Sequence, residues 1–167
     1  SYAAATDTAY TVKYWFQNVS DDEYSQNLKD YPDKAEKGTT GTQTAVEADT
    51  VEGFVAKTVE QQTIAADGST MVNVYYDRVT NDIVYKITGD LFVNENYKTI
   101  EDVRYGTELS LIKDNMIKAG YTWSGWTGLP ATMPANGVVV TGSYAAATDT
   151  AYTVKYWFQN VSDDEYS

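Results

Sequence analysis

The chain contains no cysteine and no histidine. The first absence removes disulfides, thiol nucleophiles and thiolate metal ligands. The second removes serine–histidine and cysteine–histidine relays and every imidazole ligand. Cations are also scarce: 12 Lys and Arg stand against 24 Asp and Glu, a formal charge of −12. Phosphate neutralisation needs clustered Lys and Arg, so no nucleic-acid partner is expected. No apolar run approaches the roughly 18 to 20 residues of a membrane-spanning helix, and the N-terminus lacks the basic-then-apolar layout of a signal peptide. What the chain does hold is core-forming material. Its 167 residues are 43% hydrophobic and 14% aromatic, which is too rich for a disordered segment. The length allows one ordinary domain or two small ones.

Residues 1–25 recur letter for letter as residues 143–167, an offset of 142. The reading is a tandem repeat with one full unit and the start of the next; the alternative is a segment duplicated by design. Residues 1–142 hold 11 basic and 20 acidic side chains, a charge of −9 per unit. Solenoid repeats are only tens of residues long and stack on one another, whereas a unit of this size can bury its own core. Beads on a string is therefore the expected picture, and the chain reads as a segment of a longer protein.

Hydrophobic periodicity gives a coarse outline. Tyr10, Val12, Tyr14 and Phe16 alternate with Thr11, Lys13, Trp15 and Gln17, which predicts a strand with one buried face. Residues 18–22 carry turn chemistry, and 38–50 read as extended or loop. Strand signals recur at 53–55, 58–64 and 71–76, where Val72, Val74 and Tyr76 share a face. In the second half they fall at 83–87, 91–93, 103–106, 121–126 and 138–141, the last continuing into the next repeat. Leu109, Ile112, Met116 and Ala119 follow helical spacing, with Gly120 as the expected C-terminal cap. The predicted fold class is mainly β, or α+β with that one helix. Two small β-grasp-like modules in tandem are expected, elongated, plus the first strand of a following repeat. The expected boundaries are a linker at 1–9, modules at 10–78 and 79–142, a linker at 143–151, and the duplicate strand at 152–167.

Particular motifs carry a resemblance. Gly120-Tyr-Thr-Trp-Ser-Gly-Trp126, Gly128-Leu-Pro-Ala-Thr-Met-Pro-Ala-Asn136, Val138-Val-Val-Thr-Gly142 and Tyr105-Gly-Thr make the second half similar to the Listeria–Bacteroides repeat, also called the internalin B-repeat. The first half resembles mucin-binding-type (MucBP-like) modules through Tyr10-Thr-Val-Lys-Tyr14, Gly38-Thr-Thr-Gly41, Glu52-Gly-Phe54, Thr63-Ile-Ala-Ala-Asp-Gly-Ser69 and Val74-Tyr-Tyr-Asp77. The insertion at 26–37 and the segment 110–119 depart from those patterns. The resemblance implies a β-grasp-like fold in the stalk of an extracellular bacterial surface adhesin, with export and anchoring signals elsewhere. It does not imply catalysis, and no enzyme is expected.

Each candidate site has a plainer reading beside it. Asp21, Asp22 and Glu23, with acids at 30–33 and the stretch 94–96, can ligate Ca²⁺ or simply form solvated turns; no other cofactor is expected. Lys13, at the middle of the first strand, is a candidate isopeptide lysine, which needs burial to lower its pKa, or else a surface lysine. Trp15, Tyr121, Trp123 and Trp126 can form a sugar-stacking platform for host glycan or mucin, or fill small cores. Tyr152, Val154, Tyr156 and Phe158 duplicate the first strand without the rest of its module, and an unpaired apolar strand is a template for pairing. It either begins the next bead or exchanges into another molecule, in both cases head to tail with a copy of the same repeat. The sequence thus reads as a non-enzymatic stalk, spacer or fibre unit; the alternative is a glycan- or mucin-binding adhesive module.

Overall fold

A computed structural model of the chain describes residues 3–89 and 95–167. The first alternating segment becomes β1 (Thr8–Gln17), with Tyr10, Val12, Tyr14 and Phe16 all buried. Two short strands pair antiparallel with one edge of β1. β2 (Tyr24–Ser25) meets Phe16 and Gln17, and β3 (Lys34–Gly38) runs along residues 8–12. Beyond β4 (Phe54–Ala56), β5 (Met71–Arg78) lies parallel to the opposite edge of β1, placing Val72 beside Val12 and Val74 beside Tyr14. β4 then closes the sheet antiparallel to β5. Neighbouring parallel strands need a long connection, and the chain between β1 and β5 folds over the sheet instead of forming a helix. Its Leu28, Tyr31, Val46, Val51, Phe54 and Val59 pack on the buried face of β1 and β5.

The second sheet repeats this plan. β6 (Thr80–Thr88) and β9 (Val138–Ala146) form a central parallel pair, with Ile83 beside Val138 and Tyr85 beside Val140. β7 (Glu95–Arg104) pairs antiparallel with β6, and β8 (Tyr121–Trp123) with β9. Ile83, Tyr85, Met133, Val138 and Val140 are the buried centre, covered by Ile100, Val103, Leu109, Ile112, Trp126 and Leu129. In each module the first and last strands are thus the central parallel pair, and the strand just before the last is an antiparallel edge. The protein is mainly β, built as two small modules in tandem.

Four sequence expectations are corrected. Residues 109–118 are not helical, and no helix occurs among the described residues. Tertiary partners claim this segment one by one: the Leu109 N–H donates to Ala131 O (2.9 Å), the Lys98 ammonium and Tyr97 hydroxyl bind the Asp114 carboxylate, and the Tyr144 hydroxyl donates to Met116 O (2.9 Å). Ten residues form at best a marginal isolated helix, so these contacts decide. Gly120 does take a left-handed conformation (φ 77°), but in the turn that enters β8. Second, all of β3 but its last residue falls in the stretch read as an insertion, while 58–64 is not a strand and contributes only a bridge at Thr63. Third, β9 continues to Ala146, so residues 143–146 are strand rather than linker. Fourth, residues 152–158 form no strand, for the reason given below. The expected strand at 91–93 lies outside the described residues.

Candidate functional site

One residue, Val79, separates β5 from β6 and is bonded to both modules. Its N–H donates to Gly53 O (3.0 Å), and its carbonyl accepts the Tyr105 N–H (2.9 Å). Gly53 sits at φ 77°, and a Cβ there would overlap the Tyr105 ring. That ring meets Phe54 edge-on at 5.7 Å. The Arg78 guanidinium lies over the Phe54 ring, 4.8 Å from its centroid. It donates to Gln17 O (2.7 Å) from Nε and to Tyr105 O (2.9 Å) from Nη1. Burial draws its pKa below the ordinary arginine value. Arg104, at the end of β7, reaches back to the first module, donating to Asp21 O (2.7 Å) and pairing with the Asp22 carboxylate. Sequence reasoning missed this junction. A signal was present: the chain has two arginines, both of them here, and the planar, multi-donor guanidinium suits interfaces that lysine does not.

Two of the three acidic candidates in the first turn, Asp21 and Asp22, are engaged by neighbouring groups. Asp21 Oδ1 accepts the Asn18 amide (2.8 Å) and the Glu23 N–H (2.9 Å), bonds that hold its pKa below the usual carboxylate value. Asp22 is taken by Arg104 and Gln17. Among the described residues no group of three or more acids is placed to hold a metal ion. The same turn forms in the duplicate, where Asp163 accepts from Asn160 (2.9 Å) and from the Glu165 N–H (2.9 Å). Lys13 pairs with Asp33 at 3.0 Å on the face of β1 away from the core, and that contact is the first cause of the lowered Asp33 pKa. Both side chains are part-exposed, and the Lys13 ammonium is engaged by this carboxylate.

Three of the four candidate ligand aromatics come together at the end of the second module. Trp123 crosses Trp126 at 4.8 Å and Tyr144 at 4.7 Å, and its ring covers Gly142, where a Cβ would collide with it. Tyr121 meets Tyr144 edge-on at 6.3 Å, and Trp126 meets the buried Tyr85 at 5.1 Å. The Trp126 Nε1 and the Tyr85 hydroxyl are buried with no hydrogen-bond partner among the described residues. These rings pack mainly on one another. Trp15 belongs to the first module: it stacks on Tyr75 (6.2 Å, 21° between planes), and its Nε1 donates to Asn73 Oδ1 (2.8 Å). A cleft of about 270 Å³ adjoins that pair, lined by Lys57, Thr58, Glu60, Gln62, Asn73 and Tyr75.

The duplicate strand provides an internal control. Tyr10, Val12, Tyr14 and Phe16 are 8%, 1%, 5% and 0% exposed. The identical Tyr152, Val154, Tyr156 and Phe158 are 87%, 55%, 78% and 73% exposed. Sequence is constant between the two sets, so the difference lies in the partners: residues 10–16 have β3 and β5 beside them, and residues 152–158 have neither.

No family model and no curated protein matches the chain. Among solved structures, Streptococcal High Identity Repeats in Tandem (SHIRT) domains 3–4 from a cell surface protein match with 16% identity and a TM-score of 0.28. That match covers 83% of this chain and 99% of the other. The likeness is too loose to carry an argument.

Proposed function

We propose that the chain is a non-enzymatic structural unit, a spacer in a linear array of identical repeats. The observation that supports it most is the duplicate strand: four apolar side chains buried in the first copy stand in solvent in the second. Burying each such side chain contributes about 1.5–3 kcal/mol, and a following copy of residues 26–78 would supply the missing surface. The bonded Val79 junction suits a load-bearing chain, because tension would pass through paired backbone rather than a slack tether. The net acidity limits lateral clumping of neighbouring arrays. Extracellular placement on a bacterial surface belongs to the same proposal and rests on the resemblance of the second half to surface-protein repeats. Electron microscopy of chains with two, three and four full copies tests the spacer role. Contour length should grow by a constant increment per copy; collapse into a compact particle would end the proposal.

A second reading, a glycan-recognition module, is favoured by the cleft beside Trp15 and Tyr75, where an exposed ring adjoins Lys57, Glu60, Gln62 and Asn73. A glycan array probed with the intact chain and with Tyr75→Ala addresses it. Loss of a reproducible signal in a folded variant supports recognition, and no signal from the intact chain removes it.

A further inference from the structure

The end of β9 and the start of β1 show, between them, both sides of a joint between consecutive repeats. Residues 143–146 are the copy of residues 1–4, yet they pair with β8, Tyr144 opposite Trp123 and Ala146 opposite Tyr121. The opening residues of one repeat therefore finish the last sheet of the repeat before it. β9 ends at Ala146, and the copied β1 would start at Thr150, leaving three residues, 147–149, between them.

The first of those residues is bonded in both copies. At the C-terminal side, the Ala147 N–H donates to Gly120 O (2.9 Å). At the N-terminal side, Ala5, the same position in the repeat, accepts the Thr40 N–H at its carbonyl (2.9 Å). One bond uses the N–H and the other the C=O, so a single residue can make both at once. The equivalent residues Thr8 and Thr150 lie near the same two turns: the Thr8 hydroxyl bonds that of Thr40 (2.6 Å), and the Thr150 hydroxyl lies 4.0 Å from where a Cβ on Gly120 would be.

The complete joint inside the repeat shows what these halves add up to. Val79 donates to Gly53, the residue just before β4, and accepts from Tyr105, the residue just after β7. Ala147 donates to Gly120, the residue just before β8, and as Ala5 accepts from Thr40, shortly after β3. β4 and β8 are the same edge strand of the common plan, and both glycines have φ 77°. β3 and β7 both pair antiparallel with the first strand of their module.

We propose that consecutive repeats dock directly through this residue, the inter-repeat counterpart of Val79, with a second copy of this chain's own repeat as the partner. The turn preceding β8 of one repeat then abuts the Thr39–Thr42 turn of the next, and the array is a run of alternating one-residue and three-residue joints. This rests on the tandem-array reading above and adds a fixed orientation between repeats.

The test uses a chain of two complete copies, in which the absence of native cysteine allows selective spin labelling. One label goes at Val139→Cys of the first copy and one at the position of Val55 in the second, both exposed strand positions. The expected result is one narrow distance distribution that a Gly-Ser-Gly-Ser insertion after Asp149 broadens about twofold, since four flexible residues span roughly 11 Å. Labels at Val55 and Val139 of the same copy should keep their width in both chains and report that the modules are folded. If the uninserted chain is already as broad as the inserted one while the second copy's β1 amides resist exchange, direct docking is wrong and the array stands. If those amides exchange freely, the array reading fails and takes the docking with it.

Discussion

The ring of Tyr105 fills the space that a side chain on Gly53 would occupy. Gly53 belongs to the first module and Tyr105 to the second, and both bond Val79 between them. A Cβ at position 53 must therefore displace the Tyr105 ring and hold an L residue at φ 77°. Left-handed backbone alone costs roughly 1 kcal/mol without glycine, and overpacking adds typically 1–3 kcal/mol. Gly53→Ala is expected to lower thermal stability and to broaden the distance between labels placed in the two modules. An unchanged melting point would show that the joint is loose.

Trp123 and Gly142 make a similar fit at the other end. The indole covers the glycine on β9, so Gly142→Ala should drive the ring off and destabilise the second module by about 1–3 kcal/mol. Denaturant unfolding followed by tryptophan fluorescence reads this directly. The first module's transition, if resolved, should not move.

Tyr76 gives the first module an alkaline limit. Burial, and secondarily the charge of Asp49, raises its pKa from 10.0 to about 12. The unfolded phenol ionises first, so the stability held by the neutral ring is complete below pH 10 and is lost as pH rises toward 12. Tyr76→Phe should flatten that alkaline decline at the cost of its 3.2 Å bond to Asp49 O, about 1 kcal/mol at neutral pH. Denaturation midpoints measured across pH 8 to 12 compare the two chains.

The two copies of the acidic turn should titrate together. Asp21 and Asp163 are both lowered from 3.8, first by the neighbouring asparagine amide and then by a backbone N–H. A depressed carboxyl pKa stabilises the turn above the unfolded value, and that contribution disappears as pH falls through the folded one. The amide resonances of Glu23 and Glu165 should therefore move over the same range below pH 4. A shift in the first copy alone would mean that the turn depends on its module, chiefly through Arg104.

Much of the sheet was legible because β1, β5, β6 and β9 each carry an alternating apolar face that a period of two reveals. Their parallel pairing was not, since pairing depends on which distant strand shares an edge. The helix at 109–118 failed for a related reason: its spacing is local, while Ala131, Tyr144, Lys98 and Asp114 make contacts set by the whole module. Residues 152–158 show the limit most plainly. They have the strongest strand pattern in the chain and form no strand, because a strand needs a neighbour to bond. The turn at 160–167, closed by its own side chains, forms regardless. Trp123 and Trp126 were legible as an aromatic pair, but the glycine beneath one and the core beneath the other could be located only in three dimensions. The Val79 bonds themselves are backbone to backbone and leave no mark in the sequence; the two arginines beside them were the signal that could have been read.

Hydrogen exchange tests the central claim, that identical residues fold or not according to the neighbouring copy. In the 167-residue chain, amides of 10–16 should be protected and those of 152–158 should exchange at nearly unstructured rates. When the chain is extended by a further copy of residues 26–78, amides 152–158 should gain protection equal to that of 10–16. If they still exchange freely in the extended chain, the next repeat does not complete the strand, and the account of this protein as one unit of a continuous array is contradicted.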